Sequence, residues 1–209
     1  MKLVVFGATG RTGRYVVEKA LEEGHAVTAF VRDPQKAPWD RPGLQLQQGD
    51  VRNLEQVKTA VKGADAVISV LGPSDNTDER VITRGTQNIV EAMRQHGVQR
   101  LVASCGAGVE FPQDDPNLFN NLMGFLVQTF STNVYEDMKE TAEVIRASEL
   151  DWTIVRVPML ADGPPKGGIR VGYVGRGTGP RVTRQDMARF MLEQVDREEY
   201  LRDAPVISN

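Results

Sequence analysis

Short apolar runs alternate with amphipathic stretches along most of this chain. Leu3 to Phe6, Ala26 to Val31, Ala64 to Leu71, Gln99 to Ser104 and Trp152 to Val157 are β-rich and bounded by polar or turn residues, which predicts buried strands. Leu44 and Leu46, followed by Gly49-Asp50-Val51, predict a further strand, third in chain order, and its exit. Between the strands the hydrophobic period lengthens to that of a helix. Tyr15, Val16, Val17, Ala20 and Leu21 form one stripe in a helix from Thr12 to about Glu23, closed by Gly24. A second helix spans roughly Leu54 to Val61. A long third runs from about Glu79 to His96, with Val81, Ile82, Ile89, Val90 and Met93 inside and Gly97 as its cap. A fourth covers about Asn133 to Ser148. This alternation predicts an α/β fold, a doubly wound parallel sheet with right-handed crossovers.

The pattern breaks in three places. Residues 33–43 hold three prolines, Trp39 and mixed charges, and predict a surface loop. Residues 109–134 carry two different helical stripes, one through Leu118, Leu122 and Phe125 and one through Phe119, Met123 and Val127. A segment apolar around so much of its circumference needs cover on several sides. Core packing, a lid over a flat hydrophobic ligand and a dimer surface all satisfy that need. Beyond Pro158, a Pro- and Gly-rich stretch at 163–180 encloses Ile169 to Val174, an edge strand or hairpin arm. Thr183 with Asp186 resembles a capping box opening a helix to about Val195, and Pro205 to Ser208 predicts a last short strand. These later elements predict a small C-terminal, substrate-side annex within one domain spanning residues 1–209.

Composition narrows the class. With 209 residues, 40% hydrophobic and 25% charged, the chain can bury a sizeable core. A net charge of −3 without a basic run gives no electrostatic reason to expect nucleic acid. No apolar run reaches the length of a membrane span, no targeting segment is expected ahead of the first strand, and the single cysteine, Cys105, suits a reducing cytoplasm. His25 and His96 lack ligand spacing, so no metal site is expected.

Gly7, Gly10 and Gly13 stand at G-x-x-G-x-x-G spacing where the first strand turns into the first helix. One glycine makes a turn that a Cβ would strain, one lets the backbone approach a pyrophosphate, and one lets helix pack on strand. The pyrophosphate would lie against free N–H groups at the helix's positive end. The second strand ends in Val31-Arg32-Asp33-Pro34, where an acid favours the 2′-hydroxyl of NAD and an arginine the 2′-phosphate of NADP. Arg32, joined by Arg11 from the glycine loop, predicts NADP(H). Alternatively both arginines are solvated and Asp33 caps the turn. Asp50 has two readings, an acceptor for the adenine amino group beside Val51, or the N-cap of the second helix.

At the other end, Gly72 closes the fourth strand where its missing side chain leaves room for a dinucleotide, and Ser104 and Pro158 end the fifth and sixth strands at the same edge. Tyr135 and Lys139 are four apart and share one helix face. A lysine beside a tyrosine stabilises the phenolate and makes it a usable acid or base, and can also hold the nicotinamide ribose, while Ser104 can hydrogen-bond a substrate oxygen. A solvated helix face would carry the same pair.

Gly7-Ala-Thr-Gly-Arg-Thr-Gly13, Val31-Arg-Asp-Pro34, Gly49-Asp-Val51, Lys139 with Glu143, Trp152-Thr-Ile-Val-Arg-Val-Pro158, Gly175-Arg-Gly-Thr-Gly-Pro-Arg-Val182 and the following Thr-Arg-Gln-Asp-Met-Ala188 together carry a resemblance. They resemble the atypical short-chain dehydrogenase/reductase superfamily, and within it the NAD(P)H-binding, NmrA-like group that includes biliverdin-IXβ reductase, also called NADPH flavin reductase. The resemblance implies a Rossmann fold with NADPH held by the Gly7 to Gly13 loop, including Thr9, Arg11 and Thr12, and by Arg32, Asp50, Val51, Leu71, Gly72, Ser104 and Pro158. Two departures concern chemistry. The flavin reductase lacks a clear Tyr-x-x-x-Lys pair. Its serine after the fifth strand falls near Gly106 here, and its downstream histidine near Ala142.

The resulting expectation is an NADPH-dependent oxidoreductase that passes hydride to a planar acceptor such as a flavin or linear tetrapyrrole, acting as a monomer or homodimer without nucleic-acid or membrane partners. A carbonyl or alcohol dehydrogenase using Ser104, Tyr135 and Lys139 is one alternative. A non-catalytic NADP(H)-binding redox sensor or assembly factor is the other.

Overall fold

Along the first strand, Leu3 and Val5 enter one apolar layer and Val4 and Phe6 enter another. That is the period-two alternation of a strand covered on both faces, and each such side chain is worth about 1.5–3 kcal/mol relative to exposure. This strand, β1 (Lys2–Phe6), lies inside an eight-stranded sheet in the computed structural model, which describes residues 1–72, 80–115 and 132–209. The order is β3 (Leu44–Gln48), β2 (Ala26–Val31), β1, β4 (Ala66–Ser69), β5 (Arg100–Gly106), β6 (Asp151–Val157), β10 (Val206–Ser208) and β8 (Arg170–Gly172). Every pairing is parallel except that of β10 with β8.

Helices α1 (Gly13–Glu22) and α5 (Arg184–Glu193) cover one face, setting Val16, Val17, Ala20, Met187 and Met191 in a core with Leu3, Val5 and Val155. Helices α2 (Leu54–Val61), α3 (Val81–His96) and α4 (Thr132–Ala147) cover the other, with Val57, Ile89, Met93 and Ile145 in a core with Val4, Phe6 and Ile154. The architecture is the doubly wound, Rossmann-like α/β fold. The strand sequence runs outward from β1 to β3, then returns to place β4 on the other side of β1. Connections leaving β1 and β4 therefore diverge, and a crevice opens at the carboxyl ends of the strands.

Several predicted boundaries shift for tertiary reasons. Ser104 does not end its strand: β5 continues through Cys105 and Gly106, which pair with Arg156 and Val157. The fourth strand is shorter than Ala64 to Leu71, leaving Val70 and Leu71 beyond the ladder. Trp39 in the 33–43 loop is buried against α1, its indole N–H donating to Glu18 at 3.3 Å. Gly24 and Gly97 end their helices at φ +79° and +68°, as glycine caps should. Val109 and Phe111 are core residues, whereas the apolar stripes at 118–127 and the helix start at Glu79 fall outside the described residues.

The C-terminal elements do not all stand apart as an annex. β10 pairs with β6 and β8 pairs with β10, extending the main sheet and burying Val206 and Ile207. What remains beside the sheet is a two-stranded ladder of β7 (Met159–Ala161) and β9 (Arg181–Thr183). Thr183 then caps α5, its hydroxyl accepting from the Asp186 N–H at 3.1 Å. Among the described residues, no helix is long and apolar enough to cross a membrane.

Candidate cofactor cleft

The glycine turn shows how three residues without side chains divide the work. Gly7 has φ +78°, and a Cβ there would stand 2.6 Å from the Val70 carbonyl oxygen, so it fixes the turn where β1 lies beside β4. A Cβ on Gly13 would collide with the Gly7 carbonyl and lie 2.8 Å from that of Ala8, so Gly13 seats α1 on the strand exit. Around Gly10 the nearest atom to such a Cβ is the Gly7 oxygen at 3.1 Å, leaving its other side open. Gly10 is thus the position of close backbone approach.

The helix that follows is built differently from α2 and α5. The N-cap of α1, Thr12, makes no side-chain cap hydrogen bond, and the first turn holds no acid. By contrast α2 has Asn53 as cap and Glu55 in its first turn, and α5 has Thr183 and Asp186. The orphan N–H groups and positive end of α1 are therefore left for an external anion.

These residues open a cleft of about 920 Å³, the size of a typical ligand site. Thr9, Gly10, Arg11, Thr12 and Gly13 line it together with Gly7. Toward β2 and β3 its walls are Phe30, Val31, Arg32, Asp50, Val51 and Arg52. Toward β4, β5 and β6 they are Val70, Leu71, Gly72, Ser104, Cys105, Gly106, Val157 and Pro158. Every expected cofactor residue except Lys139 is brought to this one surface.

At the β2 end, Arg32 faces the cleft and Asp33 does not. The Asp33 carboxylate accepts the Gln35 N–H at 3.0 Å and caps a short 3-10 turn, Pro34–Lys36. Asp50 is not the N-cap of α2. Asn53 takes that place, accepting from the Gln56 N–H at 3.2 Å, since it immediately precedes the first helical residue. The Asp50 carboxylate instead accepts from Arg52, Nη2 at 2.6 Å and the backbone N–H at 2.9 Å, and these contacts hold it below the usual carboxylate range. Val51 is clasped by α3: the Asn88 amide donates to its carbonyl at 2.9 Å, and Gly85 leaves room for its side chain. Neither Gly85 nor Asn88 is signalled by the sequence, because their roles exist only across the gap between two elements.

At the far end, the α4 side chains that reach the cleft are Met138 and Thr141. Tyr135 is half-buried and Lys139 exposed, and among the described residues neither lines it. The helix is rotated by its own anchor. Buried Asp137 accepts the Ile82 and Thr83 N–H groups at 3.1 and 2.8 Å, capping α3 from another helix. Cys105 also lines the cleft, but burial pushes its thiol up to about 12, so it stays protonated. Met159, Leu160 and Met187 complete this wall, while Arg184 lines the cleft on the side of the glycine loop, joined to it through Asp162, which lies 3.0 Å from Arg184 and 3.9 Å from Arg11. The β7–β9 ladder and α5 place them there, beyond what local pattern can indicate.

Comparison with known proteins agrees with this geometry. The profile of a family described as NAD(P)H-binding matches residues 7–198. An uncharacterized chloroplastic protein of Arabidopsis thaliana is 36% identical over 183 residues, covering 80% of this chain and 62% of that protein. A 3-beta-hydroxysteroid dehydrogenase of Mycolicibacterium neoaurum is 33% identical over 154 residues, covering 68% of this chain and 41% of the dehydrogenase. The chain thus spans between about two fifths and three fifths of the length of these relatives. Among solved structures, ChuY, an anaerobillin reductase from Escherichia coli O157:H7, superposes with a TM-score of 0.82 at 19% identity over 100% of this chain and 97% of its own. The glycine cradle, the bare positive end of α1 and the profile match along nearly the whole chain lead to one conclusion: this chain belongs to the NAD(P)H-binding family whose profile it matches, built on a Rossmann-like fold.

Proposed function

We propose that this protein is an NADPH-dependent oxidoreductase that reduces a planar conjugated acceptor of the flavin or linear tetrapyrrole type. The observation that carries this reading is the lining of the cleft's far end. Val157, Pro158, Met138, Met159, Leu160 and neutral Cys105 surround it, with the hydroxyls of Ser104 and Thr141. Among the described residues, no carboxylate, imidazole or phenol lines that end. An acceptor that takes hydride into a conjugated ring system needs little help from a protein acid, and an apolar wall suits its flat face.

When bound, the dinucleotide supplies the hydride from nicotinamide C4. The chain's own residues perform binding and orientation. Gly10 and the first turn of α1 would take the diphosphate and Arg32 the 2′-phosphate, while the Asp33 carboxylate accepts the Gln35 N–H. Gly72, Ser104 and Pro158 would border the nicotinamide, and the apolar wall would keep water from the acceptor beside it. In this reading Tyr135 and Lys139 are not the acid and base, which is supported by Met138 and Thr141 occupying the cleft side of α4.

Incubation with NADPH and FMN or biliverdin, following loss of the nicotinamide's near-ultraviolet absorbance, tests the proposal. NADPH consumption that scales with protein concentration is expected. No consumption above background with either acceptor overturns it.

A further inference from the structure

Arg184 breaks two local rules. It places a cation in the first turn of α5, at the helix's positive end. It also buries a guanidinium, 7% exposed, whose one polar side-chain contact among the described residues is with Asp162 at 3.0 Å. Five N–H donors belong to that group, so most of them remain available in a cleft that Arg184 itself lines. Local rules broken without local compensation mark functional positions.

Asp162 is the unusual partner. Its side chain is 71% exposed, and its second carboxylate oxygen lies 3.9 Å from the guanidinium of Arg11 in the glycine loop. One carboxylate therefore sits between two guanidinium groups contributed by different elements. Both arginines line the same cleft as Thr12 and Gly13, where the positive end of α1 has no cap.

We propose that Arg184 is a ligand of the dinucleotide's diphosphate and that Asp162 is its exchangeable counter-ion. Without dinucleotide, the Asp162 carboxylate neutralises Arg184 and Arg11. When the diphosphate enters, it takes both guanidinium groups, each a planar fork matched to phosphate oxygens, and Asp162 swings toward solvent. Asp162 thereby competes with the cofactor and hastens its release. The inference rests on the cleft holding NAD(P)H and adds two residues with opposite effects on its affinity.

Titration of wild-type, Arg184→Gln and Asp162→Asn proteins with NADPH, followed by nicotinamide fluorescence, tests this, with each variant's unliganded thermal midpoint measured alongside. Arg184→Gln is expected to weaken binding by about 10-fold or more, the effect of losing a charged hydrogen bond. Asp162→Asn is expected to tighten binding by about 2- to 5-fold, the scale of an exposed ion pair. Adenosine 2′-monophosphate, which has no diphosphate, should bind all three alike. A merely structural ion pair would instead lower the thermal midpoint and the affinity in both variants. Unchanged affinity in Arg184→Gln, or weakening in both, overturns the assignment. If Arg184→Gln does not fold, Asp162→Asn decides alone, because tightening is required of it. Wild-type protein that binds no NADPH overturns the cofactor assignment itself, and this inference with it.

Discussion

The guanidinium of Arg156, fully buried on β6, donates to both carboxylate oxygens of Asp114, at 2.7 Å each. Its remaining donors reach the carbonyls of Ala204 at 2.7 Å and Val109 at 3.0 Å, and the Phe111 ring lies 4.6 Å from its centre. Asp114 in turn accepts the N–H groups of Phe111 at 2.9 Å and Val174 at 3.1 Å. One ion pair thus ties the segment after β5, which leaves the cleft wall at Gly106, to the chain just before β10 and to the turn after β8. An arginine in the middle of an apolar strand gives no hint of this in the sequence.

Removing one partner of that pair leaves a buried charge unmatched. Asp114→Ala is expected to lower stability by about 3–5 kcal/mol, measured by urea unfolding. Burial works against the Asp114 charge, but Arg156 and the Phe111 and Val174 N–H groups outweigh it and hold the carboxyl below its usual range. Its stabilisation is therefore present above the ordinary carboxylate value near pH 4 and is lost as pH falls through the lower folded value. The variant should show a shallower fall in stability across that acid range than the wild type.

The glycine turn separates folding from cofactor binding. Gly13→Ala drives a methyl into the Gly7 carbonyl and should cost about 1–3 kcal/mol of stability as well as NADPH affinity. Gly10→Ala meets only the Gly7 oxygen at 3.1 Å. It should keep the thermal midpoint within a few degrees while losing NADPH binding, read by fluorescence titration.

Arg32→Gln should weaken NADPH by about 10-fold or more while leaving NADH affinity unchanged, since NADH lacks the 2′-phosphate. Asp33→Ala should leave the ratio of the two affinities where it was, because that carboxylate is engaged with the Gln35 N–H. Equal losses for NADPH and NADH in Arg32→Gln would remove this residue from cofactor choice.

Tyr135→Phe provides the test of the proton chemistry. With FMN as acceptor, kcat is expected to stay within about 2-fold of wild type, since the phenol lies off the cleft lining. A loss of two orders of magnitude or more, the range of general acid–base catalysis, would return Tyr135 to the mechanism.

The sequence by itself determined what depends on near neighbours in the chain. Strand β1, the glycine turn, the stripe of α1, the Gly24 and Gly97 caps and the Thr183–Asp186 box are all set within a few residues, by backbone sterics, hydrophobic period and i to i+3 hydrogen bonds. The glycine-loop end of the cleft was legible for the same reason, since a glycine spacing and a strand end specify it. Tertiary structure decided the far end. Asp137 caps a helix 54 residues away in sequence, and β10 returns to bury Val206 and Ile207 beside β6. Which face of α4 looks into the cleft follows from that Asp137 anchor, a contact no periodicity encodes. Local rules act within a turn of chain, whereas the far end of the cleft arises only when distant segments are packed against one another.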